Sequence, residues 1–338
     1  MKATVTKPLL QRFGLSLLLW VVLLPTRIQA QSFRFIAVGD MPYSPQEQQV
    51  LDREIKDAIS SSQAPFVVHY GDFKGGGETC SEALFTARRN QMYGLLPGRV
   101  FYTPGDNDWT DCDRPFLKAP ISELDQLDLM RRLFFHEPLD LPESWAYARQ
   151  PNFPENGRWQ QNDVVFTTLH IVGTNNGRQE ILLDDPELAL SLVEARDQAN
   201  RVWLQAAFDE AEDAQALVVI VQADVTDPDG SGACTAFHRM NCDAFANFRD
   251  QLMRLAANFR EQGKPAKPVL LVHGDTNPFC LDKNFGGEMA PNLWRLNAWG
   301  DFQSPPDATE ITVQPSIVDE PFTVKTLLRQ NAPTPNCH

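Results

Sequence analysis

Five aspartates end apolar runs, four of them directly after a glycine: Phe35-Ile-Ala-Val-Gly-Asp40, Phe66-Val-Val-His-Tyr-Gly-Asp72, Val100-Phe-Tyr-Thr-Pro-Gly-Asp106, Val218-Val-Ile-Val-Gln-Ala-Asp224 and Val269-Leu-Leu-Val-His-Gly-Asp275. One such end is common in any α/β protein. Several in one chain bring carboxylates toward a common sheet edge, where they repel unless a cation stands among them. Metal-assisted hydrolysis is the chemistry this arrangement permits. The plainer alternative is that Asp and Asn after Gly serve only as caps and turn formers.

The elements that must hold these residues are legible from periodicity. Apolar runs at Phe33–Val38, Phe66–Tyr70, Arg99–Thr103, Val164–Val172, Leu217–Gln222 and Val269–His273 read as strands. Helical spacing follows Ser44 (Leu51, Ile55, Ile59) and recurs over Glu82–Leu96, Glu123–Phe135, Glu187–Ala211 and Asp243–Glu261. Glu310–Val318 and Phe322–Leu328 read as two further strands joined by a turn. Strand–helix alternation predicts a layered α/β domain with ligand sites beyond the carboxyl ends of the strands. Residues 136–163, rich in Pro, Asn and aromatics, read as a long loop, for which a lid and a packed surface excursion are both open. No linker separates balanced halves, so residues 31–338 read as one domain.

The first 30 residues read as a secretory signal peptide. Lys2, Lys7 and Arg12 precede an apolar stretch from Phe13 to Pro25, and Ile28-Gln29-Ala30 offers a small-residue cleavage site. The stretch is shorter than the ~20 residues of a membrane-spanning helix, the alternative reading. Removal of this segment leaves 26 basic residues against 44 acidic ones, a net charge of −18. Such a surface disfavours nucleic acid and anionic membrane as partners. All six cysteines follow residue 30, an even number that favours three disulfides in a secreted or periplasmic protein. The expected pairs are Cys80–Cys112, Cys234–Cys242 and Cys280–Cys337.

The order and spacing of the motifs resemble the calcineurin-like metallophosphoesterase superfamily. Its motifs run Asp-x-His, Gly-Asp, Gly-Asn-His-Asp/Glu, a lone His after a strand, and Gly-His-x-His. Here they correspond to Gly39-Asp40-Met-Pro-Tyr43, Gly71-Asp72-Phe-Lys74, Gly105-Asp106-Asn107-Asp108, Gln222-Ala-Asp224 and Gly274-Asp275-Thr-Asn277. All five motif histidines are missing; Pro42, Asn107, Gln222, Asp275 and Asn277 stand in their places. Apart from Pro42, each replacement keeps a side-chain oxygen.

The resemblance implies an α/β/β/α layered β-sandwich flanked by helices, and one or two divalent ions. The implied ligands are Asp40, Asp72 and Asn277 at one site, with Asp72 bridging to Asp106, Gln222 and Asp275; Tyr43 or Asp224 could complete a shell left short by Pro42. An oxygen-only donor set favours Mn, Mg or Ca over Zn. The implied activity is hydrolysis of phosphate mono- or diesters by a water that the ions activate, on a small phosphorylated substrate and by a monomer. The alternative is a metal- or phosphate-binding protein on a degenerate scaffold. Asn107 occupies the position of the family's acid, and His273, one residue before the last motif, is the candidate replacement. A strand-end histidine bonded to a neighbouring carboxylate is the competing reading of His273. Arg158 is a candidate phosphate clamp, and Asn175 and Asn176 are candidate substrate contacts or turn residues.

Overall fold

The computed structural model describes residues 1–4, 32–317 and 319–337. The expected signal peptide therefore lies, but for its first four residues, outside the described residues. Two sheets face each other. The first has the order β12 (Phe322–Thr326), β11 (Thr309–Val313), β1 (Phe33–Val38), β2 (Val67–His69) and β3 (Val100–Tyr102). Its β1, β2 and β3 are parallel, and β11 is antiparallel to β1, pairing Phe33 with Val313.

The second sheet has the order β4 (Ala148–Gln150), β5 (Phe153–Gln161), β6 (Val164–Thr168), β7 (Ala216–Ile220), β8 (Val269–His273), β10 (Leu293–Asn297) and β9 (Cys280–Asp282). Its central strands, β6, β7, β8 and β10, run parallel.

Both faces of each sheet are buried, which is why the strands read as unbroken apolar runs. In β1 the alternation is explicit. Phe35 and Ala37 point between the sheets, against Phe166, Val218 and Val272 of the second sheet. Ile36 and Val38 point outward. There they meet Leu51, Ile55 and Ile59 of the segment formed by α1 (Pro45–Val50), a π-helical turn (Leu51–Ile55) and α2 (Lys56–Ser62). Phe85 of α3 (Glu82–Tyr93), with Met130 and Phe134 of α4 (Glu123–Phe134), completes that layer. Ahead of the second helical layer, β6 leads into α5 (Gly173–Gly177), a single turn whose Thr174, Asn175 and Asn176 are left-handed.

On the far side of the second sheet, Val165, Leu217 and Leu271 pack on Trp203 and Leu204 of α6 (Pro186–Glu210) and Leu252 of α7 (Ala246–Asn258). The protein is thus α/β, a two-sheet sandwich flanked by helices, as expected. Three disulfides join Cys80–Cys112, Cys234–Cys242 and Cys280–Cys337, the expected pairs. Among the described residues no helix is long and apolar enough to cross a membrane.

Residues 136–163, expected as a long loop, instead carry β4 and β5 at one end of the second sheet. The sequence Phe153-Pro-Glu-Asn-Gly-Arg-Trp-Gln-Gln161 hides this strand because its buried side chains are polar and satisfied by partners. Glu155 pairs with Arg131, and Asn156 bonds Gln150 and Asn200. Arg158 pairs with Glu210 and stacks its guanidinium over Trp203, so it is committed to the fold rather than to a phosphate.

Candidate metal centre

The site forms where the two sheets' strand ends meet. Asp40, Asp72 and Asp106 follow β1, β2 and β3; Gln222 and Asp275 follow β7 and β8. Close approach is permitted by glycine. A Cβ on Gly105 would fall inside van der Waals contact of Asp72 Oδ1, and one on Gly274 would do the same to Asp40 Oδ2. Asp40, Asp72 and Asp275 take left-handed backbone (φ 49°, 56° and 67°), which non-glycine residues hold only when the surrounding structure over-determines them.

Asp108 supplies much of that determination. It is buried and accepts hydrogen bonds from the backbone N–H of Asp72 (3.0 Å), Phe73 (3.0 Å) and Gly105 (2.9 Å) and from Tyr102 Oη (2.9 Å). The motif aspartate thus ties the turns after β2 and β3 together. The Cys80–Cys112 disulfide joins the same two connections farther out.

One carboxylate oxygen from each of Asp72, Asp106 and Asp275 lies within 4.8 Å of the other two. Asp40 is adjacent: its Oδ2 accepts from the Asp275 N–H at 3.0 Å, while its buried Oδ1 has no hydrogen-bond partner. Burial, then the charge of Asp301, holds the Asp40 carboxyl well above the usual carboxylate range. Burial and Asp106 do the same to Asp72 and to Asp275. Asp111, bridged to Asp106 by the Thr174 hydroxyl, is pushed up to about 7 by burial and Asp106.

The nearby cations are few. Lys74 is buried, its Nζ donating to the Gly75 carbonyl at 3.1 Å, and burial lowers its pKa against the pull of Asp108 and Asp111. Arg114 pairs with Asp111 at 2.8 Å. An oxygen-rich cluster in which burial, then neighbouring carboxylates, raises Asp40, Asp72 and Asp275, and in which one buried oxygen is unpartnered, fits a hard divalent ion.

The remaining predicted residues divide. Gln222 is in the cluster but turns its nitrogen inward. Its Oε1 accepts from the Gly173 N–H at 2.7 Å, which fixes the amide orientation, and Nε2 donates to Asp106 and Asp72. It supplies a donor where an oxygen ligand was expected. Asn107 donates from Nδ2 to Asp72 (3.0 Å) and to Tyr43 Oη (3.3 Å), and its N–H bonds Asp72 Oδ1. Tyr43 Oη also donates to Asp72, at 3.1 Å.

Asn277 stands apart from the carboxylate group. It is exposed, and its Nδ2 donates to the carbonyl and carboxylate of Asp301. His273 is buried outside the cluster, on the side of Asp224, with Nδ1 on the Gly274 carbonyl at 2.8 Å. Burial lowers its pKa to about 4, so at neutral pH it is an uncharged imidazole rather than an imidazolium acid, and its Nδ1 proton goes to the Gly274 carbonyl. Asp224 pairs with buried Arg295 rather than joining the cluster. Asn175 and Asn176 spend their amides on Cys242 and Asp197.

Three contributors escaped the sequence reading, Asp111, Thr174 and Asp301, and Asp108 was read as a motif position without a role. A signal existed for Asp301, which follows Gly300 after β10 and so repeats the strand–Gly–Asp pattern. Half-buried Tyr43, Asn107, Thr174, Asp275 and Asp301 ring the opening of the site.

No family model matches the sequence, and no curated protein does. Similar solved structures include GAP50, the anchor in the inner membrane complex of Plasmodium. It is 11% identical over 89% of this chain and 86% of that one, with a TM-score of 0.46. The NAD nucleotidase NadN of Haemophilus influenzae is 9% identical over 87% of this chain and 49% of that one, at 0.37. The sulfate thiohydrolase SoxB of Thermus thermophilus, solved with glycerol, is 12% identical over 88% of this chain and 45% of that one, also at 0.37. The chain spans less than half the length of NadN and of SoxB.

Proposed function

We propose that this chain is an exported, divalent-cation-dependent phosphoesterase that cleaves small phosphate mono- or diesters as a monomer, in the manner of calcineurin-like metallophosphoesterases. The observation that carries this reading is the convergence of Asp72, Asp106 and Asp275 oxygens within 4.8 Å of one another. The signal-like leader and three disulfides support export to an oxidising compartment, secreted or periplasmic.

A bound Mn, Mg or Ca would neutralise the phosphoryl oxygens and acidify a water. Asp72, Asp106, Asp275 and Asp40 would hold it. The Asn107 amide and Tyr43 hydroxyl, half-buried at the opening, donate to Asp72 and would have to exchange that bond to donate to a phosphoryl oxygen. Neither supplies a proton as readily as the imidazole whose motif position Asn107 occupies. General acid help contributes about 10²–10⁴-fold, so turnover is expected to be slow except with good leaving groups.

A second reading, cation binding without turnover, is favoured by His273, which faces Gly274 and Asp224 instead of the site. One experiment separates the two. Calorimetric titration with Mn, Mg and Ca is run beside hydrolysis of an aryl phosphomonoester and an aryl phosphodiester, on wild type and Asp72→Ala. Binding and hydrolysis both lost in the variant support the phosphoesterase. Binding without hydrolysis leaves the second reading, and no binding sinks both.

A further inference from the structure

Arg196, in the middle of α6, is only 3% exposed and forms no ion pair among the described residues. Its Nη2 donates to the carbonyl and the side-chain oxygen of Asn176, at 2.5 and 2.8 Å, and its Nε has no partner. The nearest carboxylates are already taken. Asp197 is held by Arg178 at 2.6 Å and by Asn176 at 2.8 Å, and Glu155 is held by Arg131. Burial lowers the Arg196 pKa to about 10, which still leaves the guanidinium charged at neutral pH. A buried charge without a counter-ion is costly, and arginine is seldom kept so deep unless something pairs with it.

Two more buried polar atoms accompany it. Trp109, whose ring lies 5.2 Å from the Arg196 guanidinium, leaves Nε1 unpartnered, and Glu123 leaves Oε1 unpartnered. Because burial pushes the Glu123 carboxyl up to about 9, it adds no negative charge and can donate a proton to a hydrogen bond. All three residues line one cavity of about 50 Å³ between α4 and α6. Leu127, Phe153, Ala189, Leu192 and Val193 give it apolar walls, and Leu192, 46% exposed, carries that wall out to solvent. At about 10–15 Å³ for each water-sized group, roughly four non-hydrogen atoms fit inside, the size of a carboxylate and its first carbons.

We propose that this cavity binds a small aliphatic monocarboxylate, its head meeting Arg196 Nε, Trp109 Nε1 and Glu123, and its tail leaving along Val193 and Leu192. The carboxylate supplies the counter-charge that Arg196 lacks, and the walls take the apolar part. A phosphate or sulfate suits the site less, because one unpaired guanidinium among apolar walls does not offset two negative charges. The site lies outside the acidic cluster and stands whether or not that cluster holds a cation.

The test is calorimetric titration of the full chain, in chelator, with acetate, hexanoate, hexanol and inorganic phosphate. Wild type is expected to bind one hexanoate, about 10-fold or more tighter than acetate because added methylenes are buried. Hexanol, which brings no charge to Arg196, should bind about 10-fold more weakly than hexanoate. Phosphate should not displace hexanoate. Arg196→Gln keeps a donor and loses the charge, so hexanoate should weaken about 10-fold while hexanol binding is retained. Since Arg196 also holds Asn176, exposed Leu192 supplies a pair of variants that leaves the core alone. Leu192→Glu should bind hexanoate about 5-fold more weakly than Leu192→Lys, with hexanol alike in both.

Hexanol binding as tightly as hexanoate, or a folded Arg196→Gln binding hexanoate as wild type does, would overturn the anion site. Should Arg196→Gln fail to fold, equal hexanoate affinities in the two Leu192 variants overturn it instead. Displacement of hexanoate by equimolar phosphate overturns the choice of an aliphatic acid. If no probe binds at millimolar concentration, water alone fills the cavity and the proposal is wrong.

Discussion

Gln222 holds Asp106 through a 2.9 Å hydrogen bond from Nε2 to Oδ1, and the same nitrogen reaches Asp72 at 3.2 Å. A neutral amide thus bridges two carboxylates that would otherwise repel. Gln222→Glu should remove this donor and add a like charge. In chelator the loss is expected to be about 1–3 kcal/mol, read as a lowered unfolding midpoint. Mn should restore more stability to the variant than to wild type, since glutamate offers two oxygens to an ion. Equal midpoints in chelator would show that the bridge does not matter.

Gly105 gives a steric test of the same geometry. Alanine there must displace the Asp72 carboxylate, and overpacking of this kind costs about 1–3 kcal/mol. Gly77→Ala, whose Cβ meets nothing within 4 Å, is the control and should be close to neutral. Thermal shift with and without Mn reads both effects. Gly105→Ala is expected to lose most of the Mn response as well as stability, and an undiminished response would refute the packing argument.

Glu123 predicts a pH dependence at some remove from the acidic cluster. Burial first, then Asp113 and Asp184, pushes its carboxyl up to about 9 from the ordinary 4.5. The folded state therefore binds the extra proton between those two values. The protonated group's contribution is fully present below about 4.5 and is lost as pH rises toward 9, at no more than about 1.4 kcal/mol per pH unit. Glu123→Gln keeps the shape without the ionisation. Urea unfolding should show the variant gaining on wild type between pH 5 and pH 8, and parallel curves would count against a neutral buried Glu123.

The disulfides should differ in weight. Cys80–Cys112 spans 32 residues and Cys234–Cys242 spans 8. Chain-entropy reasoning gives about 3–4 kcal/mol for the first and about 2.5 kcal/mol for the second. Replacing each pair by serine and measuring unfolding tests the order. Only loss of the first should also weaken Mn binding, because it fastens the connections that carry Asp72 and Asp106.

Much of this arrangement could be read before the fold was known, and the misses share a cause. The strands before Asp40 and Asp275 are apolar on both faces, so Phe33–Val38 and Val269–His273 matched the expected bounds. Strands β5 and β10 were missed because buried charged and amide residues interrupt their apolar pattern and find partners only in three dimensions. Arg295 is fully buried against Asp224, and Asn297 donates to the carbonyls of Thr276 and Pro278. Losing β10 hid Asp301, the Gly-Asp end it carries. Amide orientation is likewise absent from a sequence: Gln222 and Asn277 each hold an oxygen that could ligate, yet Gly173 and Asp301 decide which atom each presents.

Strand β1 lies between β2, a few dozen residues downstream, and β11, whose Val313 pairs with Phe33 across almost the whole polypeptide. During synthesis its β11 edge stays open until residues 309–313 have emerged. The first sheet thus cannot close on a nascent fragment, which delays its assembly until the far end of the chain arrives.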